Sequence, residues 1–449
     1  MTAAVSPKIK NVKFLDTSNT LLFYFPCSRE NSLLPYFFEK YVNFTYFNKI
    51  KLICHFMLAQ KQKKKMTKSV IDKKTANIPH IFHVIPSFAH GGVPIRISYL
   101  MNHFGPLARH SLLSTDGIYT CESRLNENVI YEIPNIGTAA EGNMLKRLWH
   151  YRKILREMQP DLLLTYNWGS TEWAMANSVN SICRHFHLES GFGPEEANGT
   201  IGRRNWFRRL ALRNIEGIVV PSNTLVRICA SDWKIPDHKI LYTPNGVDCD
   251  LYASPPQEGI IPHFTKQAGE ITIGTMTPLR PEKNLPRLIT AFNHLVQTHP
   301  GQKTSLIIMG EGNERSKLEQ MITGYGLQDR IYLAGHIDNP AMALGHLDIY
   351  ALSSDTEQMP NSVNQAMAAG LPVVGLDVGD VKFIVSTANK PFITAAGDDQ
   401  AFAAALTELT ANEPLRQEIG GNNKRHVRKT YDQSRMFAAY AKIWGVTAS

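Results

Sequence analysis

The chain has 449 residues, enough for two ordinary domains, and is 43% hydrophobic and 19% charged, as soluble globular proteins are. Its formal charge of +9 would suit a polyanion partner, but eleven Lys and Arg against three acids fall within residues 1–65, and the remainder is nearly balanced. No nucleic-acid partner follows from that distribution. No run reaches the roughly 18–20 apolar residues of a membrane helix.

Residues 1–65 hold none of the 30 glycines and none of the six tryptophans, and end in "KQKKK" before Met66. They read as an extension ahead of the true start at Met66. The alternative is a genuine basic extension that touches anionic lipid. "TLLFYFPC" is short and lacks a small-residue cleavage site, so it makes a poor signal peptide. Cys27, Cys54, Cys121, Cys183, Cys229 and Cys249 form no CxxC, which suits reduced thiols in a cytoplasm.

From residue 78 short apolar runs alternate with amphipathic stretches. "HIFHVIP" (80–86) predicts a strand and "GGVPIRISYLMNHF" a turn and helix. A helix follows over 143–160, closed by Pro160. "DLLLTY" (161–166) and "EGIVVPS" (216–222) read as strands. The proline-rich 251–270 reads as a linker. The alternation then restarts with strands at 271–276, 305–310, 330–335, 347–352 and 371–376, and helices at 285–298, 313–324, 340–345 and 361–369. This pattern predicts parallel βαβ units in two doubly wound sheets, with ligands bound at strand C-terminal ends in the cleft between them. The expected division is a leader 1–77, a first domain 78–255, a second domain 256–430, and a C-terminal helix within 431–449.

Three loops draw attention as chemistry. "SSDTEQMPNSVNQAMAAG" leaves a strand and enters a helix near Pro360, with Gly370 as its C-terminal cap. It puts Glu357 at the ligand edge of the sheet, near a helix start suited to phosphate. A capped loop with a solvated acid reads equally well. "GTMTPLRPEKN" (274–284) sets Arg280 and Lys283 near another helix start, where cations neutralise a departing diphosphate. A plain surface turn is the alternative. Gly91 and Gly92 follow a strand and let backbone N–H groups approach a diphosphate, or simply make a tight turn.

"GTMTPLRPEKNLPRLI", "IIMGEGNERSKLE", "IYLAGHIDN", "LDIYALSSDTEQMPNSVNQAMAAGLPVV" and "YTPNGVD" occur as a set that resembles the retaining glycosyltransferases of family 4 over residues 80–445. The resemblance implies an α/β GT-B fold: two Rossmann-like domains facing across a cleft, with the C-terminal helix crossing back to the first. The family's paired acids, eight positions apart, fall on Glu357 and Gln365. Glu357 would then contact the donor sugar, and position 365 the ribose. Gln365 keeps the reach but loses the charge, weakening nucleotide binding without killing the site. Lys283 matches the family's lysine. Pro278 stands where its arginine belongs, so Arg280 is taken as the substitute.

Gly91 and Gly92 would face the donor phosphates, and Asn361 and Ser362 at the helix start join them. His187, in "RHFHLESGFGPEE", matches an acceptor-side histidine, with Ser190 and Glu189 beside it. The resemblance implies no obligatory metal, and "DCD" (248–250) does not lie in a donor loop. "GRRNWFRRLALR" (202–213) suits an anionic membrane surface, or a solvated helix packing Phe207 and Leu210 inward.

The implied activity is transfer of a sugar from a nucleotide-sugar donor to a hydroxyl of a glycan or lipid-linked glycan, in the cytoplasm and peripheral to the membrane, for surface polysaccharide. The alternatives are a non-catalytic sugar-nucleotide-binding subunit or another GT-B enzyme such as a sugar-nucleotide epimerase.

Overall fold

The computed structural model describes residues 16–17, 20–21, 78–136, 143–192, 194–196 and 199–447. The chain divides into two units, Met1–Lys74 and Thr75–Ser449. In the first, β1 (Asp16–Thr17) pairs antiparallel with β2 (Thr20–Leu21). The rest of the basic extension, and the start at Met66, lie outside the described residues.

The second unit holds two parallel sheets. The first consists of β3 (His80–Ile85), β4 (Arg109–Ser114), β5 (Ile130–Glu132), β6 (Leu162–Tyr166), β7 (Arg184–Leu188), β8 (Gly217–Val220) and β9 (Ile240–Tyr242), in the order β5-β4-β3-β6-β7-β8-β9. The second consists of β10 (Ile271–Met276), β11 (Thr304–Met309), β12 (Ile331–Gly335), β13 (Ile349–Leu352), β14 (Val373–Leu376) and β15 (Ile393–Thr394), in the order β12-β11-β10-β13-β14-β15. Counted within each sheet, both begin 3-2-1-4-5-6, the doubly wound Rossmann order. The chain reverses between β3 and β6, and between β10 and β13. Ligand sites of such sheets lie beyond the strand ends at those points.

Local sequence explains the elements. "TSLIIM" is buried along its whole length, as a strand covered by helices on both faces must be. The helix Leu285–Thr298 starts where Asn284 accepts from the Arg287 N–H, and it buries Leu285, Leu288, Ile289, Phe292 and Leu295 at helical spacing. Each such side chain contributes roughly 1.5–3 kcal/mol. Gly310, at φ 146, is forced by close approach: a Cβ there would fall 1.9 Å from the Thr277 carbonyl oxygen.

The helix Gln433–Trp444 returns to the first sheet. Its Met436, Tyr440, Ile443 and Trp444 join the core formed by Ile81, Leu112 and Leu164. Trp444 packs edge-on against His110 and His83, at 5.2 and 5.7 Å between ring centres.

Candidate functional site

The loops after β10 and β13 lie side by side at the switch point of the second sheet. Asp355 N donates to the Glu282 carbonyl at 2.9 Å, and Ser353 Oγ to that of Lys283 at 2.9 Å. Asn284, left-handed at φ 41, donates to Asp355, and Arg287 bonds Asp355 and the Ser353 carbonyl, each at 2.7 Å. This lacing holds Lys283 against Glu357. Lys283 Nζ lies 2.6 Å from Glu357 Oε1, and Ser354 Oγ donates to the same oxygen at 2.8 Å. Both are largely sheltered, 18% and 11% exposed.

Arg280 is not brought to this pair. Its side chain is 62% exposed and faces Glu282 at 4.0 Å, because Pro281 starts a 3-10 turn that directs only Lys283 inward.

The helix Asn361–Ala368 begins just beyond Glu357. Ser362 sits beside the buried Tyr350 hydroxyl. Gln365 sits beside the Tyr252 hydroxyl, whose pKa burial pushes up. Across the cleft, Gly92 opens the helix Gly92–Phe104; a Cβ there would sit 3.9 Å from Asn361 Nδ2. Two helix starts, each with free N–H groups and partial positive charge, thus face one another. Gly91 precedes them with extended backbone, φ 177.

His187 lies inside β7 and is fully buried. It shares Thr165 Oγ1 with His185, each at 2.8 Å, and lies 3.7 Å from the buried Glu189. It presents no surface to the cleft. The end of its strand does: Ser190 accepts from Arg96 at 2.7 Å, and Gly191 packs near Gln358. Burial holds the neighbouring histidines neutral: His185 down to about 3, beside His187, and His110 down to about 3, beside His80.

The basic stretch forms the helix Gly202–Ala211, and its arginines divide. Arg208, 1% exposed, makes a two-pronged pair with Glu196 at 3.0 and 2.9 Å, and stacks at 4.7 Å over Trp233. Those bonds, ahead of burial's opposing effect only in sum, hold the Glu196 carboxyl down to about 2. Arg204 bonds Glu195 and Glu196 and lies 5.0 Å over Trp168. An anionic surface facing all four arginines is therefore excluded: Arg204 and Arg208 are turned inward to meet an acid the chain itself supplies. Arg203, Trp206 and Arg209 remain exposed.

Sequence reasoning missed the residues around Glu357 from other segments. A Cβ at Gly379, φ 56, would lie 2.2 Å from the Glu357 carbonyl oxygen, so only glycine lets these backbones meet. Asp380 N donates to the Gln358 carbonyl at 2.9 Å. Asn245 bonds Met359 and Arg96. The "VGD" after β14, at the ligand edge of the sheet, was the available signal. Among the described residues, no cluster of three or more His, Cys, Asp or Glu is placed to hold a metal ion, and no helix is long and apolar enough to cross a membrane.

Comparison with known proteins matches residues 91–251 to the model for Glycosyltransferase Family 4 and residues 257–426 to that for Glycosyl transferases group 1. An uncharacterized glycosyltransferase of Methanocaldococcus jannaschii is 28% identical over 52% of this chain and 60% of its own length. A phosphatidyl-myo-inositol mannosyltransferase of Mycobacterium leprae is 26% identical over 54% of this chain and 65% of its own. The chain thus spans under two thirds of either relative. Among solved structures, an Anabaena protein in complex with UDP and glucose superimposes with a TM-score of 0.64 at 18% identity, covering 82% of this chain and 99% of that one. Two sheets of Rossmann order, a returning C-terminal helix and the two adjoining family matches agree: the chain belongs to the group 1 glycosyltransferases and has their GT-B fold.

Proposed function

We propose that the protein is a retaining, hexosyltransferase-type enzyme that moves a sugar from a nucleotide-sugar donor to a hydroxyl of a glycan or lipid-linked glycan, in surface polysaccharide biosynthesis. The observation that carries this reading is the sheltered Lys283–Glu357 pair at the switch point, beside two helix starts that face each other across the cleft. A diphosphate would take the free N–H groups of the helix starts at Gly92 and Asn361. The bond from the anomeric carbon to that diphosphate breaks as the acceptor hydroxyl bonds the same face, and the hydroxyl proton passes to the departing diphosphate oxygen. Lys283 and the helix N–H groups stabilise the charge that develops on the departing oxygen. Glu357, held by Lys283 and Ser354, accepts from the sugar hydroxyls, and Gln365 from the ribose. His187 acts from within β7 by setting the strand end at Ser190, on the acceptor side. The UDP of the Anabaena neighbour and the mannosyltransferase relative support this choice of donor and acceptor class. No metal enters the reading.

The enzyme would work in the cytoplasm, with Arg203, Trp206 and Arg209 resting on anionic lipid. The test is a panel of nucleotide sugars, read by thermal shift and by release of the nucleotide, since ligand binding to the folded state raises its stability. A donor should both stabilise the protein and be consumed, and NMR should find the product's anomeric configuration unchanged. Stabilisation without turnover would favour a binding-only subunit, and an inverted product would exclude retention.

A further inference from the structure

We infer that Asp380 is a positioning residue: it clasps the first domain to the second and so sets where Glu357 stands. This rests on the donor-site reading above. The Asp380 carboxylate is 1% exposed and takes four hydrogen bonds, all from the first domain. Asn223 N donates at 2.5 Å, Thr224 N at 3.1 Å, Asn223 Nδ2 at 3.2 Å and Thr224 Oγ1 at 3.0 Å. These residues open the helix Asn223–Ser231, whose free N–H groups and dipole favour an anion. No Lys or Arg pairs with Asp380 among the described ion pairs, so its compensation comes from the other domain's backbone.

The clasp continues into the donor loop. Asp380 N holds the Gln358 carbonyl, and Ser222 Oγ, which caps the same helix, donates to Gln358 Oε1 at 3.2 Å. On the other flank, Asn245 Nδ2 donates to the Met359 carbonyl at 3.2 Å, and Asn245 Oδ1 accepts from Arg96 at 2.5 Å. The two residues after Glu357 are therefore gripped on both sides by the first domain. When the cleft opens, water can replace every one of these partners, so the clasp is reversible. When it closes, the carboxylate is desolvated only if Asn223 and Thr224 arrive in register. Glu357 is then placed once the acceptor-side domain is seated, and transfer is tied to closure.

Asp380→Asn turns an amide group toward one of the two backbone N–H groups and removes the charge. It should lower kcat about ten- to a hundredfold, the worth of one charge-assisted bond. Binding of UDP by calorimetry should weaken by less than kcat falls, because the Asn361 helix start keeps its place while Gly92 withdraws, and X-ray scattering should show a more open particle. Thr224→Val should act the same way, more weakly, and Thr224→Ser should restore the wild-type values. That pair decides the matter if Asp380→Asn does not fold. Wild-type kcat and scattering in Asp380→Asn would overturn the clasp. So would a loss of UDP affinity equal to the loss of kcat with unaltered scattering. If the wild type consumes no sugar nucleotide, the proposed function fails, while the scattering arm still decides whether Asp380 closes the cleft.

Discussion

Replacing Lys283 by Met keeps the aliphatic stem and removes the charge beside Glu357. A contact of 2.6 Å near a protein surface corresponds to ~6 kcal/mol of attraction before desolvation is subtracted. Both side chains are partly wet, and Ser354 still donates to the carboxylate. The net loss of fold stability should therefore be about 1–2 kcal/mol. The rate should suffer more, because the same ammonium would face the departing diphosphate. One preorganised contact of this kind is worth about 3 kcal/mol, near a hundredfold in kcat. Arg280→Met is the matched control. Its side chain stands in solvent, so stability should move by less than ~0.5 kcal/mol and kcat hardly at all. Denaturant unfolding and steady-state donor turnover measure the two effects separately. Wild-type kcat in Lys283→Met, or an equal loss in Arg280→Met, would refute the assignment of the lysine to the leaving group.

Glu357→Gln should cost more turnover than Gln365→Glu, which restores an acid that the Tyr252 hydroxyl can meet and should tighten nucleotide binding; the reverse order in kinetics and calorimetry would exchange their roles. The buried histidines should make the first domain acid-sensitive. His80, depressed to about 4 by burial and Arg109, and His110 and His185, each near 3, are neutral when folded and titrate near 6.5 when unfolded. The unfolded state thus binds more protons below pH 6.5. Stability is complete above that value and falls as pH drops toward the folded values, by about 2 kcal/mol per imidazole at pH 5. Chemical unfolding from pH 7.5 to 5 checks this, and a flat profile would contradict it. Arg208→Gln should cost about 3–5 kcal/mol by stranding Glu196. Arg203→Gln with Arg209→Gln should leave stability within ~0.5 kcal/mol and weaken co-sedimentation with anionic liposomes by about 1 kcal/mol per charge at low salt.

Much of the architecture is legible along the chain because its causes are local. Continuous apolar runs such as "SLIIM" can only be strands covered on both faces, and the Asn284 cap and the leucine spacing after it mark the helix that the structure has at Leu285–Thr298. Lys283 and Glu357 were both visible as polar residues at strand ends. The strand β7 was not read as one, because "RHFHL" looks polar; its two imidazoles are buried inside the sheet and share Thr165. The inward turn of Arg204 and Arg208 was also hidden, since a basic helix looks the same whether its partner is lipid or Glu196. Arg280 and Lys283, three residues apart in one loop, were both candidates, Lys283 by match and Arg280 as a substitute, until packing sent one to Glu357 and the other to solvent. The "VGD" after β14 marked Asp380 only as a polar residue at the sheet edge, and nothing local named its partners. Its four donors lie 156 and 157 residues earlier in the chain. Periodicity and capping act over a few residues and so are written in the sequence. The partner of a charge is whichever group the folded chain delivers, and that is decided only when the two domains meet.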